Sequence, residues 1–242
     1  MIELSVWLPV YLKVLKDCFG ERVCFVGLQG SYARGEATEN SDLDLVVILD
    51  ELTPADIRAY SKMLDALPHR EVLCGFLSGK AELQAWDAGD LFQFYHDTKP
   101  IWGALEDIIA LPGAQAAKQA VSIGACSLYH GCVHNLIYGK KERTLAGLYK
   151  SAAFLIQAVQ YLRTGDYISN REELMAVVPA DERYILQTAA YLKNGGEMRV
   201  LKESCKEKVI HVHGFTRYCK EKRRYAGMLR AAASASIFLL FL

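Results

Sequence analysis

Two short polar motifs near the N-terminus combine residue types suited to binding phosphate groups and a metal ion. The first is Gly30-Ser31, which follows the apolar segment 22–28. A glycine without a side chain lets a phosphate approach the backbone, and the Ser31 hydroxyl and the N–H groups of the next turn can bind phosphate oxygens. Arg34 follows one turn later and can lend positive charge to the same phosphates.

The second motif is Asp42-Leu43-Asp44, which begins an apolar segment that ends at Leu49. Side chains two residues apart on a strand point to the same side, so Asp42 and Asp44 project together. Two adjacent carboxylates repel each other unless a cation lies between them, and hard oxygen ligands suit Mg²⁺. The motif therefore predicts a magnesium site on Asp42 and Asp44.

Apolar patterning predicts the elements that carry these motifs. A helical pattern covers 4–19, with Pro9 as a potential kink, and Thr53-Pro54 opens a helix that extends to about residue 67. Short apolar segments rich in β-branched and aromatic residues predict strands. The four predicted strands are 22–28, 42–49, 71–77 and 91–96.

The second half of the chain has a different texture, and Leu111-Pro112-Gly113 marks the predicted boundary between domains 1–112 and 113–242. Beyond it the pattern is helical almost throughout. The predicted helices are 115–138, 142–164, 170–177, 181–194 and 197–224. We therefore predict an α/β domain followed by an all-α helical bundle.

Composition narrows the function classes. Lys plus Arg and Asp plus Glu number 28 each, so the formal net charge is zero, which argues against nucleic acid as the partner. The N-terminus lacks a signal-peptide pattern, and the seven cysteines form no C-x-x-C pair, as is typical of a cytoplasmic protein. The apolar segment after Arg230 is shorter than the ~20 residues needed to span a bilayer, so no membrane association is expected, and no oligomeric state is predicted.

In order and spacing, the segment GSYARGEATENSDLDLVV resembles the nucleotidyltransferase superfamily, which includes DNA polymerase β, kanamycin-type nucleotidyltransferases and minimal nucleotidyltransferases. The resemblance implies an α/β palm of mixed strands with flanking helices. It implies that Asp42 and Asp44 are catalytic metal ligands for two Mg²⁺ ions and that Gly30 and Ser31 hold the β- and γ-phosphates. The implied reaction transfers a nucleoside monophosphate from a nucleoside triphosphate to an acceptor hydroxyl.

The chain departs from the pattern of the superfamily at one place. Active members usually carry a third carboxylate on a later strand, but the predicted strand 71–77 has no acid in its middle. Glu71, at the start of that strand, is the candidate catalytic base, and Asp97 is a more distant candidate. Without a third carboxylate, the domain would be a catalytically weak nucleotide-binding module, which is the alternative from a different class.

The helical half resembles the helical domains that follow such palms in antibiotic nucleotidyltransferases, which implies that it selects the acceptor. Lys150, on an otherwise small and apolar helix segment, is predicted to meet a phosphate of the nucleotide. The leading prediction is transfer to a hydroxylated small molecule such as an aminoglycoside. The alternative acceptors are a protein side chain or a tRNA end, as in antitoxin-like minimal nucleotidyltransferases, and the zero net charge counts against tRNA.

Overall fold

The computed structural model describes residues 2–139 and 142–196, which fold into two compact units. The first unit contains the described residues up to Asp87 together with Phe94–Leu111. The second contains Ala88–Gln93 and the described residues from Pro112 onward. The predicted helix at 197–224 and the apolar C-terminal segment lie outside the described residues.

The first unit is built on a mixed four-stranded sheet with the strand order β3-β2-β1-β4. Strand β1 pairs antiparallel with β2 and with β4, whereas β2 and β3 are parallel and are joined through a helix. The strands are β1 (Val23–Gln29), β2 (Leu43–Leu49), β3 (Leu73–Gly79) and β4 (Lys99–Trp102). The helices are α1 (Leu4–Phe19), α2 (Gly30–Arg34), α3 (Pro54–Asp65) and α4 (Lys80–Gln84). Helix α5 (Ala88–Asp97) contributes Phe94–Asp97 to this unit and Ala88–Gln93 to the second.

Successive side chains of β2 alternate between the two faces of the sheet, so the core lies on one face and the predicted site on the other. Leu43, Leu45, Val47 and Leu49 lie in the hydrophobic core that α1 and α3 cover on one face of the sheet. Because successive side chains of a strand point to opposite faces, Asp44 lies on the other face. The apolar alternation that predicts this strand therefore also determines the face to which the Asp44 carboxylate points.

Most predicted elements of the first unit are confirmed. Helix α1 has the predicted bounds and runs through Pro9, β1 and β2 lie within one residue of the predictions, and β3 begins two residues later than predicted. The predicted strand at 91–96 is wrong, because these residues belong to helix α5. The fourth strand lies at Lys99–Trp102 on the sheet edge, where a proline such as Pro100 is tolerated.

Alternating aromatic residues caused the error at α5. Phe92 and Phe94 are both buried with Gln93 between them, which imitates the period of a strand. In the structure Phe92 packs edge-on against Tyr161 and Tyr167, whereas Phe94 packs against Phe76. Because its apolar residues pack against two different groups of neighbours, the helix lacks the single apolar stripe on which helix prediction depends.

The second unit is helical and confirms the predicted bundle. Its helices are α6 (Ala114–His134), α7 (Glu142–Thr164), α8 (Arg171–Val177) and α9 (Ala180–Lys193), and a π-helical turn, Asn135–Gly139, follows α6. Helix α7 packs against both α6 and α9. No helix within the described ranges is long and apolar enough to cross a membrane.

An ion pair links the start of α3 to Arg22, in the turn that precedes β1. Thr53 and Asp56 form a reciprocal capping box at the start of α3. Arg22 donates from Nη1 to Asp56 Oδ1 at 2.7 Å and from Nη2 to Asp56 Oδ2 at 3.0 Å. These hydrogen bonds, and those from Thr53, hold the pKa of the Asp56 carboxyl well below its usual range.

We expect the stability contributed by Asp56 to depend on pH. Its folded pKa is lowered, so the contribution is present above the unfolded carboxyl pKa of about 3.9 and is lost as the pH falls below it. Asp56→Asn should therefore be less stable than wild type at pH 7, with a difference that shrinks below about pH 4. Urea unfolding across this range measures the difference.

The control for this experiment is Asp65→Asn, which breaks the exposed Arg70–Asp65 ion pair at 2.9 Å. Exposed pairs contribute about 0–1 kcal/mol, so this variant should differ little from wild type at any pH. A destabilisation of Asp56→Asn that stays constant down to roughly pH 3 would contradict the role given to the Asp56 carboxylate.

Candidate active site

The Gly30-Ser31 motif lies where β1 ends and the short helix α2 begins. Gly30 has a φ of 66°, in the left-handed region that residues with a side chain rarely occupy. The ladder between β1 and β2 pairs Gln29 with Asp44. The two motifs, which lie more than ten residues apart in sequence, are therefore adjacent across the sheet.

Gly30 is packed directly against the Asp44 carboxylate. A Cβ atom placed on Gly30 would lie 2.0 Å from Asp44 Oδ2 and 3.1 Å from Asp44 Cγ. A side chain at this position fits only if the Asp44 carboxylate moves away, because heavy atoms that are not bonded to each other do not approach so closely. The glycine thus brings the backbone of the loop against one of the two predicted metal ligands.

The neighbouring polar side chains retain groups that can bind a ligand. Asp42 is exposed, and its carboxylate makes no hydrogen bond or ion pair with any described residue. Ser31 is 8% exposed, and its hydroxyl has no hydrogen-bond partner within the described part of the chain. A turn orders the segment before Asp42, since Thr38 N donates to Ser41 Oγ at 2.9 Å.

Arg34 is already engaged inside the loop. Its Nε atom lies 3.0 Å from Glu36 Oε2, and both side chains are mostly buried, with exposures of 10% and 18%. Part of the positive charge predicted to reach the phosphates is thus balanced by Glu36. The predicted role of Arg34 in nucleotide binding stays a prediction.

The position beside Asp44 on β3 is a cysteine. The parallel ladder pairs Asp44 with Cys74, and the Cys74 side chain is exposed with a free thiol. Paired residues of neighbouring strands point to the same face, so Cys74 lies on the Asp44 side of the sheet. The sequence could not reveal this pairing, because it depends on the register between two strands about thirty residues apart.

No third carboxylate joins the pair in the described residues. Glu71 lies in the 3-10 turn Arg70–Val72 before β3 and is exposed, while Asp97 is buried at the end of α5. Across residues 2–139 and 142–196 no group of three His, Cys, Asp or Glu side chains could hold a metal ion. The role of Glu71 as a base stays a prediction.

The Gln29 side chain forms hydrogen bonds next to the site. The Gln29 side-chain amide, which sequence patterning did not single out, donates to Thr98 Oγ1 at 2.7 Å and to the Phe94 carbonyl at 3.4 Å. It connects the end of β1, beside Asp44, to the C-terminal end of α5.

Lys150 is exposed on α7 of the second unit, and its contact with a phosphate stays a prediction.

Comparison with known proteins identifies the family. Residues 11–82 match the family described as "Nucleotidyltransferase domain", a segment that includes both motifs. A Methanocaldococcus jannaschii protein, whose name describes it as a putative protein adenylyltransferase, is 37% identical over 73 residues, covering 30% of this chain and 68% of that protein. The chain belongs to the nucleotidyltransferase superfamily. It is therefore an enzyme of the nucleotidyltransferase type, as the motifs predicted.

Two other similarities agree with this family. The protein adenylyltransferase MntA of Thermococcus cleftensis is 42% identical over 50 residues, which cover 21% of this chain and 48% of that protein. The crystal structure of spectinomycin adenyltransferase AAD(9) from Enterococcus faecialis, with ATP and spectinomycin, aligns with a TM-score of 0.52 at 14% identity. That alignment covers 76% of this chain and 88% of the other, and it confirms a nucleotidyltransferase fold followed by helices.

We expect Gly30→Ala to abolish nucleotide binding for a steric reason, and Gly35→Ala is its matched control. Both glycines have a left-handed φ, 66° and 72°, so alanine should cost each variant roughly 1–2 kcal/mol of stability. Only at Gly30 does the new Cβ collide with Asp44, since nothing lies within 4 Å of the same atom at Gly35.

The measurement is thermal stabilisation by ATP with Mg²⁺. A ligand present at 100 times its Kd stabilises the folded state by about 2.7 kcal/mol. Wild type and Gly35→Ala should show this stabilisation, and Gly30→Ala should not. Equal stabilisation of the two variants would show that the close approach of Gly30 to Asp44 is irrelevant to the nucleotide.

Proposed function

We propose that this chain is a Mg²⁺-dependent nucleotidyltransferase that moves a nucleoside monophosphate from a nucleoside triphosphate to an acceptor hydroxyl. The observation that carries the proposal is the packing of Gly30 against the Asp44 carboxylate. It brings a loop suited to phosphates next to a pair of acidic side chains suited to a cation. Both motifs lie within the segment that matches the family.

The side chains present fit magnesium. Asp42 and Asp44 offer carboxylate oxygens, which are the ligands that Mg²⁺ prefers, and Asp42 has no competing partner among the described residues. These two residues would hold the ion. Bound Mg²⁺ would neutralise negative charge on the phosphates during transfer.

The residues of the loop then position the triphosphate. Gly30 leaves room for phosphate oxygens at the backbone, and the Ser31 hydroxyl donates to one of them. The acceptor oxygen attacks the α-phosphorus, the bond between the α-phosphorus and the bridging oxygen breaks, and pyrophosphate leaves. The proton of the acceptor hydroxyl passes to a base, for which Glu71 remains the proposed residue.

The proposed acceptor is a hydroxylated small molecule. The support is that the fold similarity to the spectinomycin adenyltransferase extends over 76% of this chain, well beyond the palm. A protein side chain is the second candidate, because both relatives with 37% and 42% identity carry the name protein adenylyltransferase. Their similarity is confined to 73 and 50 residues, so it bears on the palm more than on acceptor selection.

We expect a bound nucleotide to protect Cys74 from alkylation. Cys74 is exposed and paired with Asp44, so a triphosphate held by Asp44 and Mg²⁺ should cover its thiol. Cys18 and Cys126 are also exposed and serve as internal references. Iodoacetamide labelling, followed by mass spectrometry of each cysteine peptide, should slow at Cys74 alone when ATP and Mg²⁺ are both present.

The matched variants for this experiment are Asp44→Asn and Asp17→Asn. Asp44→Asn should lose the protection of Cys74, whereas Asp17 is an exposed residue of α1 and its substitution should preserve it. Comparing ATP, GTP, CTP and UTP would identify the preferred nucleotide. Unchanged labelling of Cys74 with all four nucleotides would refute nucleotide binding at this site.

We expect radioactivity from an α-phosphate-labelled nucleoside triphosphate to appear on a small molecule. The preferred nucleotide is incubated with the full chain, Mg²⁺ and a panel of aminoglycosides, and acid precipitation separates protein-bound label from soluble product. Soluble adducts that require both wild type and an aminoglycoside confirm the prediction. Label that precipitates with protein instead would replace it with the protein-acceptor alternative, and Asp44→Asn is the inactive control for both.

A further inference from the structure

Three aromatic side chains form a cluster on the first unit. The ring centroids of Phe76 and Trp86 lie 4.9 Å apart, those of Phe76 and Phe94 5.1 Å, and those of Trp86 and Phe94 5.8 Å. Each pair is edge-to-face, with interplanar angles of 73°, 64° and 67°. Such pairs stabilise one another beyond the area they bury, so the cluster holds its rings in fixed orientations.

The aromatic cluster lies on the same face of the sheet as Asp44. Leu73 and Leu77 pack toward the core beneath α1 and α3, so Phe76, between them in the alternation, points to the opposite face. Phe76 pairs with Val46, two residues along β2 from Asp44. With a rise of about 3.3 Å per residue and strands about 4.8 Å apart, the Cα atoms of Asp44 and Phe76 lie about 8 Å from each other.

Trp86 is the exposed member of the cluster. It is 39% exposed, whereas Phe94 is 7% exposed. No described residue accepts a hydrogen bond from its indole N–H. Tryptophan is the largest apolar side chain, and one supported by two phenylalanine rings while its own surface remains open is suited to stack on a planar ring.

We propose that Trp86 stacks on the base of the nucleoside triphosphate. The inference rests on the proposed function, which places the phosphates at Gly30 and Asp44. One ribose separates the base from the α-phosphate, the Cα atoms of Asp44 and Phe76 lie about 8 Å apart, and the Trp86 ring centroid lies 4.9 Å from that of Phe76. Trp86 lies beyond the segment 11–82 that matches the family.

The test separates the base from the phosphates. Calorimetric titration measures the Kd of ATP and of inorganic tripolyphosphate, both with Mg²⁺, on the full chain. Trp86→Leu keeps an apolar side chain but removes the ring, and Trp86→Phe retains a smaller ring. We expect Trp86→Leu to raise the Kd of ATP about tenfold without changing the Kd of tripolyphosphate. The Kd of ATP for Trp86→Phe should lie between those of wild type and Trp86→Leu.

The control is Trp102→Leu. Trp102 packs against the core on the other face of the sheet and lies under the Lys16 ammonium at 4.6 Å, so its loss should change neither Kd. Thermal unfolding without ligand verifies that each variant is folded. If Trp86→Leu itself does not fold, Trp86→Phe carries the comparison through its smaller loss of ATP affinity.

The outcomes distinguish the inference from the proposed function. Equal affinity of wild type for ATP and tripolyphosphate, or an equal loss of both in Trp86→Leu, would overturn base stacking while preserving the phosphate site. Unchanged ATP affinity in both Trp86 variants would also overturn it and would leave the ring available for an acceptor. Failure of wild type to bind either ligand would overturn the proposed function and the inference together.

Discussion

The close approach of Gly30 to the Asp44 carboxylate is the constraint on which the site depends. A methyl group at this position would displace the Asp44 carboxylate, and glycine in a left-handed conformation keeps the loop backbone and the acid in contact. Phosphate oxygens and a cation attract each other strongly only over a few ångströms. The missing side chain therefore lets the loop backbone lie beside the Asp44 carboxylate, as the proposed triphosphate site requires.

The sheet maintains this approach through its register. Gln29 pairs with Asp44 across the antiparallel ladder, and a slip of one residue would turn Asp44 into the core and Leu43 or Leu45 into the site. Burial of these leucines beneath α1 and α3 opposes such a slip, since each fully buried leucine contributes about 1.5–3 kcal/mol. The buried leucines of β2 thus fix the face to which Asp44 points, so the stability of the core maintains the geometry of the site.

How much the sequence could predict depended on the distance over which each feature is encoded. Strands β1 and β2 follow from apolar patterning among neighbouring residues, and the Gly30-Ser31 and Asp42-Leu43-Asp44 motifs are each only a few residues long. The sequence alone therefore predicts them. The pairing of Cys74 with Asp44 and the link from Gln29 to Thr98 arise from contacts distant in sequence, which no local pattern encodes. Helix α5 was mistaken for a strand because Phe92 and Phe94 satisfy different neighbours.

The cysteine beside Asp44 bears on how a metal would be retained. A thiol is a soft ligand, and Mg²⁺ prefers oxygen, so β3 offers the ion little at this position. Two carboxylates form a weak site on their own, but Mg²⁺ commonly completes its coordination with substrate phosphates. In the proposed site, metal and triphosphate would therefore bind together, because each supplies what the other lacks. Affinity for the ion would follow the nucleotide, since the Gly30 loop lies against the Asp44 carboxylate and would contact the phosphates.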